Sequence, residues 1–302
     1  MIDLCGLALE HPILNGSGTY DAIAARRAFG DALLDAFPFS AFVSKTITLE
    51  PRAGNPPPRL YETPAGLVNS IGLPNKGLRG YVEEDLPQLA ALPVPLVTNV
   101  MGSTAAELVA LVEALDDRDD VAAIELNVSC PNVRTGLDIG SDPDELAAVL
   151  RAVRPRTRRP LVVKLTPNTA DVARTAQAAE DAGADAVSLI NTLRAYAPHP
   201  RRPASPWLGA GAGGLSGPAV RAVALAQVRA VAARVAVPVV GMGGIQTGAH
   251  AAQFLSAGAT AVAVGTESFR DPAAATRIRR ELHDFLAKSG VSRSMAVHTP
   301  DS

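Results

Sequence analysis

The sequence predicts an α/β protein whose leading architecture is a (β/α)8 TIM barrel with long loops on its C-terminal face. Eight short apolar runs alternate with eight Ala- and Leu-rich amphipathic stretches along the chain. The runs are continuously apolar, as expected of strands in a parallel sheet that helices cover. The length of 302 residues suits one such barrel. A doubly wound open sheet, built from the same units, is the alternative.

The elements can be placed in order from these runs. The strand candidates are residues 12–15, 41–45, 95–100, 122–128, 161–165, 184–190, 237–241 and 259–264. The helix candidates are residues 21–29, 80–92, 104–115, 142–153, 169–182, 217–235, 249–256 and 271–289. Two helix starts carry capping signals, because Thr104 precedes Glu107 and Asp142 precedes Glu145.

Two connections are unusually long for a barrel, residues 47–76 and residues 193–214, and both are rich in proline. Loops longer than about 12–15 residues in a compact fold usually carry function. Both follow predicted strands, so in a barrel both lie on the C-terminal face, where barrel enzymes build their active sites.

Composition narrows the class of protein. The chain is 47% hydrophobic and 19% charged with a formal net charge of −2, which argues against a nucleic-acid-binding surface. No apolar run approaches the roughly 20 residues that span a bilayer, and the start of the chain does not resemble a signal peptide. Cys5 and Cys130 are too few for a disulfide framework. We therefore expect a cytoplasmic protein with one domain over residues 1–290 and a polar, flexible tail over residues 291–302.

The segment with the most chemical content follows the fourth predicted strand. There Cys130 stands before Pro131, between the amides of Asn127 and Asn132. A thiol at a strand end can act as a base or a nucleophile, and amides can hold a planar polar ligand. A buried structural cysteine is the alternative, but the polar neighbours favour chemistry.

Other polar residues at strand ends indicate a ligand. Lys164 stands in an otherwise apolar strand, which is costly unless an anion or a hydrogen-bonding partner meets it. Together with Lys45 after the second strand, it suggests a conjugated or anionic ligand.

Glycines after the last two strands suggest where a phosphate would lie. Gly243 and Gly244 follow the seventh strand, and Gly265 precedes Thr266 after the eighth, where barrels often bind phosphate through backbone N–H groups. Residues 209–214 match a GxGxxG dinucleotide pattern, but no strand precedes them and no acidic residue follows at ribose distance. The histidines lack metal-ligand spacing, so no metal site is expected.

Four motifs together resemble dihydroorotate dehydrogenase over nearly the whole chain. They are residues 69–75 (NSIGLPN), 127–132 (NVSCPN), 214–217 (GLSG) and 241–244 (GMGG). Cys130 resembles the cytosolic class 1 enzymes, since the membrane-associated class 2 has serine there. Residues 190–192 and 214–217 are closest to the NAD-linked class 1B catalytic subunit.

The resemblance implies an FMN-dependent oxidation of dihydroorotate to orotate in pyrimidine synthesis, with Cys130 as the catalytic base. The residues implied to bind substrate are Lys45, Asn69, Ser70, Ile71, Gly72, Leu73, Asn127, Asn132, Asn191 and Thr192. The residues implied to bind FMN are Ser17, Lys45, Thr46, Asn99, Asn127, Lys164, Ile190, Gly217, Gly243, Gly244, Gly265 and Thr266.

Class 1B enzymes pass electrons to NAD through a second subunit that carries FAD and a [2Fe–2S] cluster. The resemblance therefore implies a homodimer, or a heterotetramer with such a subunit, and no nucleic-acid or membrane partner. Two departures keep a fumarate-linked class 1A enzyme as an alternative: Thr46 follows Lys45 where class 1B more often has alanine, and residues 73–77 are closer to class 1A. A tRNA-dihydrouridine synthase and a non-catalytic phosphate-binding barrel are the remaining alternatives.

Overall fold

The computed structural model describes residues 1–129 and 139–289. Two residues assigned to the site from the sequence, Cys130 and Asn132, lie outside the described residues. So does the predicted polar tail, residues 291–302.

The described residues form the predicted barrel of parallel strands with helices around it. The barrel strands are β1 (Ile13–Asn15), β2 (Phe42–Val43), β3 (Leu96–Val100), β4 (Ala123–Asn127), β5 (Leu161–Lys164), β6 (Ala186–Leu189), β7 (Val239–Met242) and β8 (Ala261–Val264). They lie in one sheet in the order β1-β8-β7-β6-β5-β4-β3-β2. The (β/α)8 prediction is confirmed, and the open-sheet alternative is wrong because the ends of the sheet come together.

A helix follows each barrel strand. They are α1 (Ala22–Phe29), α2 (Gly77–Gly80, a π-helical turn Tyr81–Asp85, and Leu86–Leu89), α3 (Ala105–Asp116), α4 (Pro143–Val153), α5 (Val172–Asp181), α6 (Arg221–Ala232), α7 (Gly248–Ser256) and α8 (Ala274–Ser289). Short helical segments cover Ala32–Asp35, Ile139–Ser141, Arg154–Arg156, Pro218–Val220 and Glu267–Arg270. Both capping predictions are confirmed, since the side chains of Thr104 and Asp142 accept from backbone N–H groups of the first turns of α3 and α4. Among the described helices, none is long and apolar enough to cross a membrane.

Side-chain hydrogen bonds from Asn15 close the barrel between β1 and β2. Its Nδ2 donates to the Val43 carbonyl at 2.7 Å, and its Oδ1 accepts from the Val43 N–H at 2.8 Å. One backbone bond, from the Ser40 N–H to the Ile13 carbonyl at 3.0 Å, assists them. Asn15 is fully buried, and so are the backbone groups that it contacts. Its side-chain amide therefore makes hydrogen bonds that backbone groups would otherwise make between β1 and β2.

We expect Asn15→Ala to lower the free energy of unfolding by about 2–4 kcal/mol, because it leaves two buried backbone groups of Val43 without partners. Urea unfolding followed by circular dichroism measures the change. Asn15→Asp is the matched comparison: it keeps the acceptor for the Val43 N–H, but its buried carboxylate faces the Val43 carbonyl without a donor, so it should be at least as unstable as Asn15→Ala. Wild-type stability of Asn15→Ala would show that the amide does not close the barrel.

Small apolar side chains fill the lower part of the barrel interior. Ala123, Val162, Ala186, Val240 and Ala261 belong to this inner cluster. A hairpin of Ile2–Leu4 and Leu7–Leu9, which the sequence analysis did not identify, packs Leu4, Leu7 and Leu9 into the same cluster. The upper end of the barrel interior is left to the polar residues at the strand ends.

The two long segments predicted as loops form a shared antiparallel sheet, which we call the cap sheet. Its strands, in order, are Leu193–Tyr196, Ala212–Ser216, Gly66–Asn69 and Leu60–Thr63, and a hairpin of Pro198–His199 and Arg202–Pro206 lies beside it. Each of the two long connections therefore forms its own antiparallel hairpin, and the hairpins join where Ala212–Ser216 pairs with Gly66–Asn69.

Close packing explains the glycines of residues 209–214. A Cβ at Gly213 would collide with the Asn69 carbonyl, and one at Gly214 would collide with the Thr192 side chain. Because these glycines have no side chains, neighbouring parts of the chain can approach them closely. This packing role agrees with the rejection of a dinucleotide motif. The helix predicted from residue 217 begins at Arg221, after the 3-10 turn Pro218–Val220.

Candidate active site

Buried polar side chains meet at the C-terminal ends of three neighbouring barrel strands. Asn99 on β3, Asn127 on β4 and Lys164 on β5 are exposed by only 0%, 7% and 6%. Asn127 and Lys164 are register partners across β4 and β5. The barrel therefore brings these three predicted residues together.

A fourth polar residue, Glu125 on β4, lies beside them and was not assigned a role from the sequence. Its Oε2 accepts from Asn99 Nδ2 at 2.5 Å, and its Oε1 accepts from the Ser188 hydroxyl at 2.6 Å. The signal was available: Glu125 and Asn127 are two residues apart on one strand, so both point to the same side of the sheet.

Two of these groups lack a partner. The Oδ1 of Asn99 is buried and accepts no hydrogen bond within the described residues. The Lys164 ammonium makes no ion pair or hydrogen bond with any described residue. Buried groups of this kind are costly unless a ligand satisfies them. The strand ends therefore present one acceptor and one cation to a bound molecule.

Ser17, Lys45 and Thr46 lie together after β1 and β2. The Ser17 hydroxyl donates to the Ser44 carbonyl at 2.8 Å and lies 3.2 Å from the Thr46 hydroxyl. The Lys45 side chain reaches the open mouth of the barrel, yet desolvation by the surrounding protein lowers the pKa of its ammonium. Asp21 opposes this shift of the pKa, and Arg59 adds to it.

Hydrogen bonds from asparagines shape the predicted substrate segment, residues 69–73. Asn69 lies on the cap sheet, and its Nδ2 donates to the Gly214 carbonyl at 3.2 Å. Asn55 donates through its Nδ2 to the Ser70 hydroxyl at 2.9 Å, and its N–H donates to the Ile71 carbonyl at 3.0 Å. Gly72 has a φ of +75°, and a Cβ there would collide with Asn55, so this turn requires glycine.

Asn75 holds the end of that segment. Its Nδ2 donates to the Leu73 carbonyl at 2.8 Å and to the Thr48 hydroxyl at 3.0 Å, while its Oδ1 accepts from the Gly77 N–H at 2.8 Å. Leu73 itself has a φ of +53°, which is unusual for a leucine. The side chain of Asn75 therefore stabilises a strained backbone next to predicted substrate-binding residues.

We expect Asn75→Ala to raise the KM for the substrate that the resemblance implies, dihydroorotate, by about tenfold, with a smaller effect on kcat, because Leu73 loses the bond that holds its backbone. Steady-state kinetics on the variant measures both constants. Gln88→Ala is the matched control: it removes another amide that donates to a backbone carbonyl, that of Glu84 in α2, away from this turn, and should leave KM unchanged. An unchanged KM in Asn75→Ala would show that the turn keeps its shape without the amide.

Asn191 and Thr192 connect β6 to the end of β4. The Nδ2 of Asn191 donates to the Ser129 hydroxyl at 3.0 Å and to Asn127 Oδ1 at 3.3 Å. Its Oδ1 accepts from the Thr192 N–H at 2.8 Å. Asn168, which was not predicted, donates to the Thr192 carbonyl at 3.1 Å. These bonds hold Ser129, the residue directly before Cys130, at the same site.

The predicted phosphate residues meet at the ends of β7 and β8. A Cβ at Gly244 would lie 2.8 Å from the Gly217 carbonyl, and one at Gly243 would lie 3.2 Å from Ile190 Cγ1. Thr266 donates to the Ser216 hydroxyl at 2.9 Å. Gly265 lies next to this threonine, within the same turn.

An arginine that the sequence analysis did not identify lies beside the phosphate residues. The Nη1 of Arg221 donates to the Gly244 carbonyl at 3.3 Å and lies 3.2 Å from His250 Nδ1. Desolvation, followed by the charge of Arg221, lowers the pKa of His250. An arginine at the start of α6 is visible in the sequence, but only the tertiary structure brings it to Gly244.

Comparison with known proteins agrees with this arrangement. A family model described as dihydroorotate dehydrogenase matches residues 1–286. The catalytic subunit of dihydroorotate dehydrogenase B (NAD(+)) from Geotalea daltonii is 44% identical over 96% of this chain and 94% of its own length. A putative dihydroorotate dehydrogenase A (fumarate) from Solibacter usitatus is 45% identical over 96% of this chain and 94% of its own. The corresponding B catalytic subunit from Desulforudis audaxviator is 45% identical over 96% and 93%.

The family model covers almost the whole barrel, including each strand end described above, and the relatives match over nearly their full lengths. This chain therefore belongs to the dihydroorotate dehydrogenase family, whose members are flavin-dependent oxidoreductases acting on dihydroorotate.

Proposed function

We propose that this protein oxidises dihydroorotate to orotate in de novo pyrimidine synthesis, within one FMN-binding barrel domain over residues 1–290. The observation that carries the proposal is the convergence of amides and lysines at the C-terminal mouth of the barrel. Asn127 and Asn191 are hydrogen-bonded to each other, and Lys164 is the register partner of Asn127. Such a set can hold the amides and the carboxylate of a pyrimidine acid.

The residues fit FMN as the cofactor. The unpartnered Asn99 Oδ1 and the unpaired Lys164 ammonium would meet the polar edge of a flavin ring. Backbone N–H groups around Gly243, Gly244 and Thr266 would meet its phosphate. The remaining residues proposed to bind FMN are Ser17, Lys45, Thr46, Asn127, Ile190, Gly217 and Gly265. When bound, FMN supplies a hydride acceptor.

The substrate would lie under the cap sheet. Asn69, Asn127, Asn132 and Asn191 with Thr192 would hold its polar groups, while residues 70–73 would contact its other side. Buried amides reject analogues that leave them unpaired, so binding should be selective. Cys130 would remove the proton from substrate C5 while hydride leaves C6.

We further propose that electrons pass to NAD through a partner subunit that carries FAD and a [2Fe–2S] cluster. The names of two of the relatives, NAD(+)-linked catalytic subunits, favour this acceptor. The chain has two cysteines, fewer than a cluster needs, so the cluster would belong to the partner. The assembly would be a homodimer or a heterotetramer in the cytoplasm.

A fumarate-linked enzyme is the second candidate, because the Solibacter usitatus relative, whose name includes fumarate, is 45% identical, against 44% and 45% for the two NAD(+)-linked relatives. Thr46 and residues 73–77 also favour it.

Anaerobic stopped-flow mixing with dihydroorotate, followed at the flavin absorbance near 450 nm, tests the proposal. We expect rapid bleaching. Subsequent mixing with fumarate, and separately with NAD plus a candidate partner subunit, identifies the acceptor by the return of the absorbance. A flavin spectrum that does not respond to dihydroorotate would overturn the substrate assignment, and RNA uridines would then be tested.

A further inference from the structure

We infer that Glu125 is a positioning residue that fixes the amide of Asn99 with its oxygen toward the flavin. The inference rests on the proposed function, since the ligand in question is FMN. It concerns a residue that touches neither predicted ligand and acts through Asn99.

The geometry places Glu125 beside Asn99 on the adjacent strand. The two residues are register partners on β3 and β4. The Nδ2 of Asn99 donates to one carboxylate oxygen at 2.5 Å, and the Ser188 hydroxyl donates to the other at 2.6 Å. Glu125 is 4% exposed and Asn99 is fully buried, so water does not compete for these bonds.

Acceptor chemistry then decides which way the amide points. A carboxylate can only accept hydrogen bonds, so the amide nitrogen of Asn99 must face it. The amide oxygen must therefore face away, and it is this Oδ1 that finds no partner within the described residues. Glu125 thus presents an acceptor to a ligand group that donates. A flavin offers such donors in its ring N–H and its ribityl hydroxyls.

A merely structural role explains Glu125 less well. The carboxylate makes no ion pair with any described residue, although Lys164 stands on the adjacent strand. A buried carboxylate of this kind is costly, and an apolar side chain of similar size would fill the same space at lower cost. The free-energy cost of burying the Glu125 carboxylate is explained if the orientation of the Asn99 amide matters for ligand binding.

Exchanging the carboxylate and the amide between positions 99 and 125 tests the inference. In Asn99→Asp, two carboxylates face each other, and we expect FMN binding to the apoprotein to weaken by about tenfold to a hundredfold at pH 8. Adding Glu125→Gln lets the glutamine amide donate to the new aspartate and accept from Ser188, while an aspartate oxygen still faces the ligand. We expect this double variant to bind FMN within about threefold of the wild type.

A further variant separates ligand binding from folding. Asn99→Leu with Glu125→Leu, combined with Ser188→Ala so that the Ser188 hydroxyl is not left without its acceptor, removes all three partners and leaves an apolar cluster, which is often nearly neutral for stability. It should fold, with thermal unfolding like that of the wild type, yet bind FMN at least about tenfold more weakly because no acceptor remains. Ser188→Ala is the matched control, since it leaves the Asn99–Glu125 bond in place and should bind FMN within about threefold of the wild type.

Quenching of FMN fluorescence by each apoprotein gives the Kd values, and thermal unfolding gives the stability. Two outcomes overturn the inference alone: a swapped variant that binds FMN no better than Asn99→Asp, or a leucine pair that binds FMN like the wild type. If Asn99→Asp fails to fold, FMN binding by the swapped variant still decides. A wild-type apoprotein that does not bind FMN overturns the proposed function and this inference together.

Discussion

Cys130→Ser should lower turnover of dihydroorotate by about a hundredfold or more near pH 7, because a serine hydroxyl is a far weaker base than a thiolate. FMN content and orotate affinity should stay close to those of the wild type, since neither depends on the base. For the wild type, we expect the rate of flavin reduction to rise with pH as the thiol, whose ordinary pKa is about 8.5, loses its proton.

The structure supplies the setting for this prediction up to Ser129. Asn191 donates to the Ser129 hydroxyl, and Ser129 in turn donates its N–H to Asn127 Oδ1 at 3.3 Å. Stopped-flow reduction from pH 6 to pH 9 separates the chemical step from substrate binding. Cys5→Ser is the matched control, because Cys5 lies on the N-terminal hairpin, where burial raises the pKa of its thiol to about 12. Wild-type rates in Cys130→Ser would remove that cysteine from the mechanism.

Lys164→Met should stabilise the apoprotein while it weakens flavin binding. Lys164 is 6% exposed and its ammonium has no ion-pair partner among the described residues, so replacing it with an apolar side chain should raise the free energy of unfolding by about 1–3 kcal/mol. The same change removes the cation that a flavin would meet, and we expect the Kd for FMN to rise by about a hundredfold.

The result is informative because the two expected effects are opposite: the apoprotein becomes more stable, while FMN binding becomes weaker. Urea unfolding of the apoprotein and fluorescence titration with FMN measure the two effects separately. Lys288→Met is the matched control, since Lys288 is exposed on α8 and its removal should leave both apoprotein stability and the Kd for FMN nearly unchanged. A destabilised Lys164→Met that binds FMN normally would show that Lys164 serves the fold and not the ligand.

Much of the site could be predicted because its residues stand at the ends of recognisable strands. Asn99, Asn127 and Lys164 each end an apolar run, and parallel strands deliver their C-terminal ends to one face. Glu125 was missed because its importance depends on Asn99 and Ser188, which lie 26 and 63 residues away. Arg221 was missed for the same reason, since Gly244 lies on another βα unit.

By itself, the sequence determined the strands and helices and made the barrel the leading architecture. The spacing of apolar residues predicted all eight strands and eight helices, because burying a strand or one face of a helix produces a pattern among residues that are close in sequence. Only the tertiary structure decided how the barrel closes and what covers it. Asn15 replaces a strand ladder with its side chain, and the cap sheet pairs Asn69 with Gly214, 145 residues away. These contacts join segments that are far apart in sequence and that only the folded barrel brings together. No pattern among neighbouring residues predicts them.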